Sequence, residues 1–225
     1  LPELSLEENA AFGVNAMTAW VALMEMGRLR PSDRVIVTAA GGGVGTMAVQ
    51  FAAALGCEVI GLAGSDTKLE RVRALGAAQT VNYRRPDFGD RFDKVVGHRG
   101  VDVVLEVVGG EVYRRCLDAL APFGRVVVAG FAGLDLQKWN PFSLYRTWRD
   151  MPKASVQTLA RGSRGILATH IGYLLADEVR LLEVWSQLVA FSREHNVRPI
   201  VGATYEFDQM AEAHRFMESR ESLGK

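Results

Sequence analysis

Cysteine is almost missing from this chain: its 225 residues include only Cys57 and Cys116, far apart and without ligand-like spacing. That excludes a disulfide framework and a thiolate zinc site, and it suits two buried packing residues in a reducing cytoplasm. An excess of either charge is missing too. Lys+Arg and Asp+Glu both total 26, which leaves no overall footprint for nucleic acid or an anionic membrane. The most apolar stretch, residues 47–64, is interrupted by Gln50, Gly56 and Glu58 and reads as a buried helix followed by a buried strand, not a membrane span. Glu3, Glu7 and Glu8 stand where a secretory leader would be basic. The four histidines, His98, His170, His195 and His214, have no metal-ligand spacing among themselves or with either cysteine. Repeats and low-complexity linkers are absent. These exclusions predict a soluble, cytoplasmic protein of ordinary globular composition, able to bury roughly 70% of its unfolded surface.

What is present is an alternation. Residues 34–39 (RVIVTA), 57–63 (CEVIGLA), 102–107 (DVVLEV) and 125–130 (RVVVAG) read as strands buried on both faces, as in a parallel sheet covered by helices. Residues 80–83 and the run from Ile166 to Tyr173 read as two more. Between them lie helical stripes: Val44, Ala48, Phe51 and Leu55, ending at Gly56, then Leu69, Val72 and Leu75, capped by Ser65 and ended by Gly76. Residues 111–120 and 181–194 are further helix candidates, and Asp208 is placed to cap a last helix carrying Met210, Ala213 and Met217 on one side. The expected architecture is α/β, a doubly wound parallel (Rossmann) sheet with helices on both faces. Residues 1–30 form a helical lead-in, 31–200 the sheet domain, and 201–225 a C-terminal segment with its helix.

The segment VTAAGGGVGTMAVQ, residues 37–50, follows a strand and opens a helix. Small residues permit the tight turn, a pyrophosphate approaches only where side chains are missing, and the helix N-terminus offers N–H donors with partial positive charge. Read as G-x-G-x-x-G, the positions are Ala40, Gly42 and Gly45, with alanine in the first slot. A close strand–helix turn alone would use the same glycines, but the strand–helix–strand unit of about 28 residues has the size of a dinucleotide-binding unit.

NAD-selective sites carry Asp or Glu at the end of the second strand, to accept from the adenosine ribose 2′-hydroxyl. Here that position is Ala63, followed by Gly64, Ser65 and Lys68. A hydroxyl and a cation suit a 2′-phosphate, which a carboxylate would repel. On the plainer reading Ser65 only caps a helix and Lys68 is only solvated, and Asp66 beside them would weaken selectivity.

Taken with LPELSLEENAAFGVNAMTAW, AGSDTKLERVRALGA, VNYR, GVDVVLEVVGG, GRVVVAGFAG and RPIVGATYEFDQMAEAHRFMESRESLGK, these residues resemble the medium-chain dehydrogenase/reductase superfamily over nearly the whole chain. More narrowly, they are similar to its zinc-free quinone oxidoreductase branch, which includes zeta-crystallin-like and synaptic-vesicle-protein-like members. The resemblance implies that Lys68, Tyr83 and Arg220 hold the 2′-phosphate of NADPH. It implies that Thr18 lies near the nicotinamide ribose, and that Gly109 and the backbone around Phe131 line the nicotinamide half of the cleft. With the cradle, the expected cofactor residues are Thr18, Gly42, Gly43, Val44, Gly45, Ser65, Lys68, Tyr83, Gly109, Phe131 and Arg220. Zinc-dependent relatives carry a cysteine four residues before the threonine equivalent to Thr18; Val14 stands there, which implies no catalytic zinc.

The resemblance also implies a GroES-like N-terminal domain that these residues do not contain, so the chain is expected to be the nucleotide-binding portion of a longer enzyme. Phe12, Met17, Trp20 and the Met210 face are expected to form an apolar surface toward that domain. The leading expectation is hydride transfer from NADPH to a quinone or α,β-unsaturated carbonyl, with no catalytic acid or base nominated in this portion and with little turnover by it alone. The alternative is a dinucleotide-binding module without catalysis, a fragment or a regulatory relative. A homodimer is expected through the edge run from Ile166 to Tyr173.

Overall fold

The computed structural model describes residues 1–130, 155–219 and 221–225. Ser5 opens the first helix, α1 (Leu6–Trp20), with a capping box: its hydroxyl accepts from Glu8 N while the Glu8 carboxylate accepts from Ser5 N. The helix runs into a π-helical turn, Val21–Met26. Then come β1 (Arg34–Val37), α2 (Gly43–Ala54), β2 (Glu58–Ala63), α3 (Asp66–Ala74), β3 (Gln79–Asn82) and α4 (Phe88–Val96). They are followed by β4 (Val101–Glu106), α5 (Gly110–Asp118), β5 (Leu120–Val128), α6 (Val156–Gly162), β6 (Gly165–Ala168), α7 (Glu178–Glu194) and α8 (Met210–Glu218). All ladders of the six-stranded sheet are parallel, in the order β3-β2-β1-β4-β5-β6. That is the doubly wound Rossmann order expected from the alternation.

Successive strand residues point to opposite faces, so each strand feeds two cores. Val35, Val37, Val59, Val103, Leu105 and Val127 face α1, α2 and α7, whereas Ile36, Ile60, Leu62, Val104 and Val126 face α4 and α5. Trp20, Phe51 and Phe191 bring α1, α2 and α7 together in an edge-to-face triad with centroids 5.3–6.0 Å apart. Such pairs add roughly 0.5–1.5 kcal/mol each beyond area burial. The triad matters to function because it fixes the helix whose N-terminus forms the cradle.

Three expectations need correction. Phe12, Met17 and Trp20 do not form an outward surface; all three are buried in the first core. The outward apolar residues of α1 are Leu6 and Val14. The run from Ile166 to Tyr173 is a strand only through Ala168, because His170 caps a 3₁₀ turn, Ile171–Ala176, by accepting from Gly172 N. Nor does Asp208 cap the last helix: Glu206 and Gln209 form a capping box around the 3₁₀ turn Phe207–Gln209, and α8 follows it.

Candidate functional site

The site lies at the C-terminal ends of β1 and β4, the switch point at which connections leave the sheet in opposite directions. Residues 38–42 form a turn tied to both neighbouring strands: Thr38 N donates to Leu105 O at 3.0 Å and Ala40 N to Leu62 O at 2.8 Å. Between them Ala39 sits in the left-handed region at φ +46°, a strain of about 1–3 kcal/mol that these bonds hold in place. A β-carbon at Gly45 would press into the Ala39 carbonyl oxygen and stand 2.7 Å from Ala40 Cα, so only glycine lets α2 start this close to the turn. Among the described residues, the N–H groups of Gly43, Val44 and Gly45 meet no acceptor. Three unsatisfied donors and the positive end of a helix dipole converge there, which fits a phosphate.

Two neighbours shape the cradle. The buried carboxamide of Asn15 on α1 donates to Ala11 O and fills the space beside Gly43, with Oδ1 only 2.6 Å from where a β-carbon would be. Gly224 N donates to Gly41 O at 2.8 Å, and Gly42 and Gly224 form a parallel bridge that brings the C-terminal segment onto the turn.

The adenosine end of such a site lies past β2. Ala63 is buried and supplies no carboxylate. Ser65 caps α3, its hydroxyl accepting from Lys68 N at 3.4 Å. The Lys68 stem crosses Gly41, its Cβ and Cδ both 3.0 Å from a β-carbon position there. Burial lowers the Lys68 pKa first, the Arg84 charge lowers it further, and Glu221 opposes both. Buried Asn82 donates to Asp66 Oδ1 at 3.0 Å and accepts from Arg84 N at 3.0 Å. Arg85 takes the other Asp66 oxygen at 3.3 Å. The Asn82 hydrogen bond, with the charge of Arg85, holds the Asp66 carboxyl below its usual range. Tyr83 follows, half-buried, its N–H donating to Ala63 O.

At the other side of the switch point stands Glu106, fully buried at the end of β4. Its carboxylate accepts from Val108 N at 2.8 Å and from Gly109 N at 3.0 and 3.1 Å. Thr38 Oγ1 lies 3.4 Å from Glu106 Oε1 and accepts from Val107 N at 2.9 Å. This pair clamps the β1 turn to the loop where Gly109 and Gly110 both adopt positive φ. Burial pushes the Glu106 pKa up, against the pull of the Gly109 and Val108 N–H groups.

Of the expected residues, the structure brings Gly42, Gly43, Val44, Gly45, Ser65, Lys68 and Tyr83 to the ends of β1, β2 and β3, and Gly109 to the end of β4. Thr18 lies on α1 one turn beyond Asn15, with its hydroxyl donating to Val14 O. Phe131 and Arg220 lie outside the described residues. Sequence reading missed Asn15, Thr38, Arg84 and Glu106. For Glu106 a signal existed, a single acid inside the apolar run VDVVLEVVGG. Among the described residues, no group of three or more His, Cys, Asp or Glu could hold a metal ion.

Residues 43–172 match the family model described as zinc-binding dehydrogenase. The chain belongs to the zinc-binding dehydrogenase family. It thereby falls in the medium-chain dehydrogenase/reductase superfamily, as the nucleotide-binding portion of quinone oxidoreductase-like members. The synaptic vesicle membrane protein VAT-1 homolog of Danio rerio is 31% identical over 227 residues, covering 100% of this chain and 47% of that protein. The quinone oxidoreductase of Thermus thermophilus, solved alone and with NADPH, superposes with a TM-score of 0.80 at 31% identity, covering 100% of this chain and 66% of that one. The Escherichia coli quinone oxidoreductase complexed with NADPH gives a TM-score of 0.80 at 28% identity, covering 100% and 65%. The chain thus spans about half to two thirds of these relatives' length. Its family name refers to zinc, yet the described residues offer no ligand cluster, and Val14 is an exposed aliphatic residue. Among the described residues, no helix is long and apolar enough to cross a membrane.

Proposed function

We propose that this domain binds NADPH as the nucleotide half of a zinc-independent oxidoreductase acting on a quinone or an α,β-unsaturated carbonyl. The observation that carries the reading is the end of β2, where Ala63 supplies no carboxylate and the Lys68 stem crosses Gly41, beside a cradle of three unsatisfied N–H donors. The NADPH complexes of the Thermus and Escherichia relatives support it. Gly43, Val44 and Gly45 would take the pyrophosphate; Lys68, with Tyr83 and Arg220, the 2′-phosphate. Thr18, Gly109 and Phe131 belong to the nicotinamide half. When bound, the cofactor supplies the hydride. The chain's own work is to hold and orient it, with the buried apolar strand ends excluding water from the floor of the crevice. No acid or base is assigned. We also propose a homodimer through the β6 edge and a cytoplasmic location.

The test is a fluorescence titration with NADPH and NADH. Lys68→Ala removes a charge-assisted contact, which weakens NADPH about ten- to a hundredfold and leaves NADH nearly unchanged. Equal affinities of the unmutated protein for the two cofactors overturn the reading. Oxidation of NADPH is then followed with and without 1,2-naphthoquinone or an enone. Binding without turnover, even in a protein that includes the remainder of its relatives' length, favours a non-catalytic module.

A further inference from the structure

Tyr113 stands one turn into α5 and is 2% exposed, yet its hydroxyl meets no hydrogen-bond partner among the described residues. A buried hydroxyl without a partner disfavours the conformation that contains it. An acceptor with room lies in the same core. Glu106 shares a sheet face with Val104, which packs with Tyr113 and Cys116 in the core facing α4 and α5. Burial raises the Tyr113 and Cys116 pKa values, and the Glu106 charge raises each further, so this carboxyl lies within electrostatic reach of both side chains. Its Oε1 takes Val108 N and Gly109 N, at 2.8 and 3.0 Å, whereas Oε2 takes the same Gly109 N–H at 3.1 Å. An ionised carboxylate accepts up to about four bonds, so Oε2 keeps a place for a further donor. The connection between the two residues is permissive. Gly109 and Gly110 hold φ +86° and +60°, and a β-carbon on either would meet nothing within 4 Å. Gly109 gives α5 no side-chain cap, and the first-turn bond from Tyr113 N to Gly109 O is long, at 3.3 Å. Two glycines in open space therefore join β4 to the start of α5, as at a hinge.

We infer that Tyr113 is a positioning residue of the crevice: when residues 107–110 pack against a bound dinucleotide, the start of α5 shifts and the Tyr113 hydroxyl donates to Glu106 Oε2. The hydrogen bond belongs to the bound state and the unpartnered hydroxyl to the free one. Cofactor and hydroxyl are then linked, because a ligand shifts a conformational balance by the contacts that differ between the two states. The inference rests on the reading that this crevice holds a dinucleotide, and it is indifferent to the 2′-phosphate.

The experiment compares the unmutated protein with Tyr113→Phe, Val112→Ala, Glu106→Gln and the double variant Glu106→Gln/Tyr113→Phe. Thermal midpoints are taken without cofactor, and NADPH and NADH are titrated by fluorescence. Tyr113→Phe removes no bond of the free protein, so its midpoint stays within about 3 °C of the parent or rises. Its affinities for NADPH and NADH both fall about tenfold, the loss of one charge-assisted hydrogen bond. Val112→Ala truncates a buried neighbour on the same helix; it melts lower and binds both cofactors within about twofold of the parent. In the Glu106→Gln background the phenylalanine replacement costs no more than about threefold. A Tyr113→Phe midpoint more than about 3 °C below the parent overturns the inference, because the hydroxyl then has a partner, such as a buried water, before the cofactor arrives. Unchanged affinities overturn it too, as do equal affinity losses in Tyr113→Phe and Val112→Ala. An undiminished loss in the Glu106→Gln background rejects Glu106 as the acceptor. If the unmutated protein binds neither cofactor, the dinucleotide reading itself fails, and the inference with it.

Discussion

Replacing Glu106 probes the clamp between the two loops of the crevice. In Glu106→Ala the half-buried N–H of Val108 and the buried N–H of Gly109 lose their acceptor, and Thr38 loses its partner. Each unsatisfied buried donor costs roughly 1–3 kcal/mol, and the vacated volume adds to that, for about 3–5 kcal/mol in all. In a chain of this size each kcal/mol moves the midpoint by about 2–4 °C, so Glu106→Ala melts roughly 6–20 °C lower. Glu106→Gln keeps a carbonyl acceptor and removes a charge that burial disfavours, so it melts within a few degrees of the parent. The two variants also separate the pH behaviour. Burial raises the folded pKa of Glu106 above its unfolded value. The stability it contributes is therefore fully present below the unfolded value and lost as pH rises through the folded one. In that window the parent loses stability with rising pH relative to Glu106→Gln, whose side chain does not titrate. Melts followed by circular dichroism at a series of pH values, with NADPH titration at neutral pH, supply the readouts. Equal midpoints for the alanine and glutamine variants, or an alanine variant as stable as the parent, would refute the clamp.

Gly45→Ala drives a methyl into backbone that cannot step aside; a net loss of about 2 kcal/mol and a severe loss of NADPH affinity are expected, and unchanged titration curves would count against the cradle. Elemental analysis of purified protein should find no stoichiometric zinc, and one tightly held zinc per chain would defeat zinc independence. Mass measurement at micromolar concentration should give a dimer through the β6 edge, which pairs only with β5 among the described residues. A strictly monomeric mass rejects that interface.

The sheet was legible because buried parallel strands are written as apolar runs, and RVIV, EVIGLA and VDVVLE are apolar apart from Arg34, Glu58, Asp102 and Glu106. The cradle was legible because backbone approach restricts residue choice to glycine. The edge was not. ILATHIGY continues apolar past Ala168, and only the local hydrogen bond from Gly172 N to His170 turns it into a 3₁₀ segment. Phe12, Met17 and Trp20 were misread because apolar periodicity marks a buried face without naming what covers it; here α2 and α7 do. Asn15, Thr38 and Arg84 were hidden for a different reason. Asn15 meets Gly43, Thr38 meets Glu106 and Arg84 meets Gly64, and no spacing along the chain announces a contact that the fold alone creates.

The bridge between Gly42 and Gly224 joins the cradle to a segment nearly the whole chain away. Closing so long a loop carries a chain-entropy cost that a local turn does not. The turn proposed to receive the phosphate is therefore finished by a long-range contact, and a ligand that steadies the turn also steadies this contact. Amide exchange at Gly224, whose N–H is spent on Gly41 O, thus serves as a label-free gauge of cradle occupancy. Its protection should rise with cofactor concentration although Gly224 itself need never touch the cofactor.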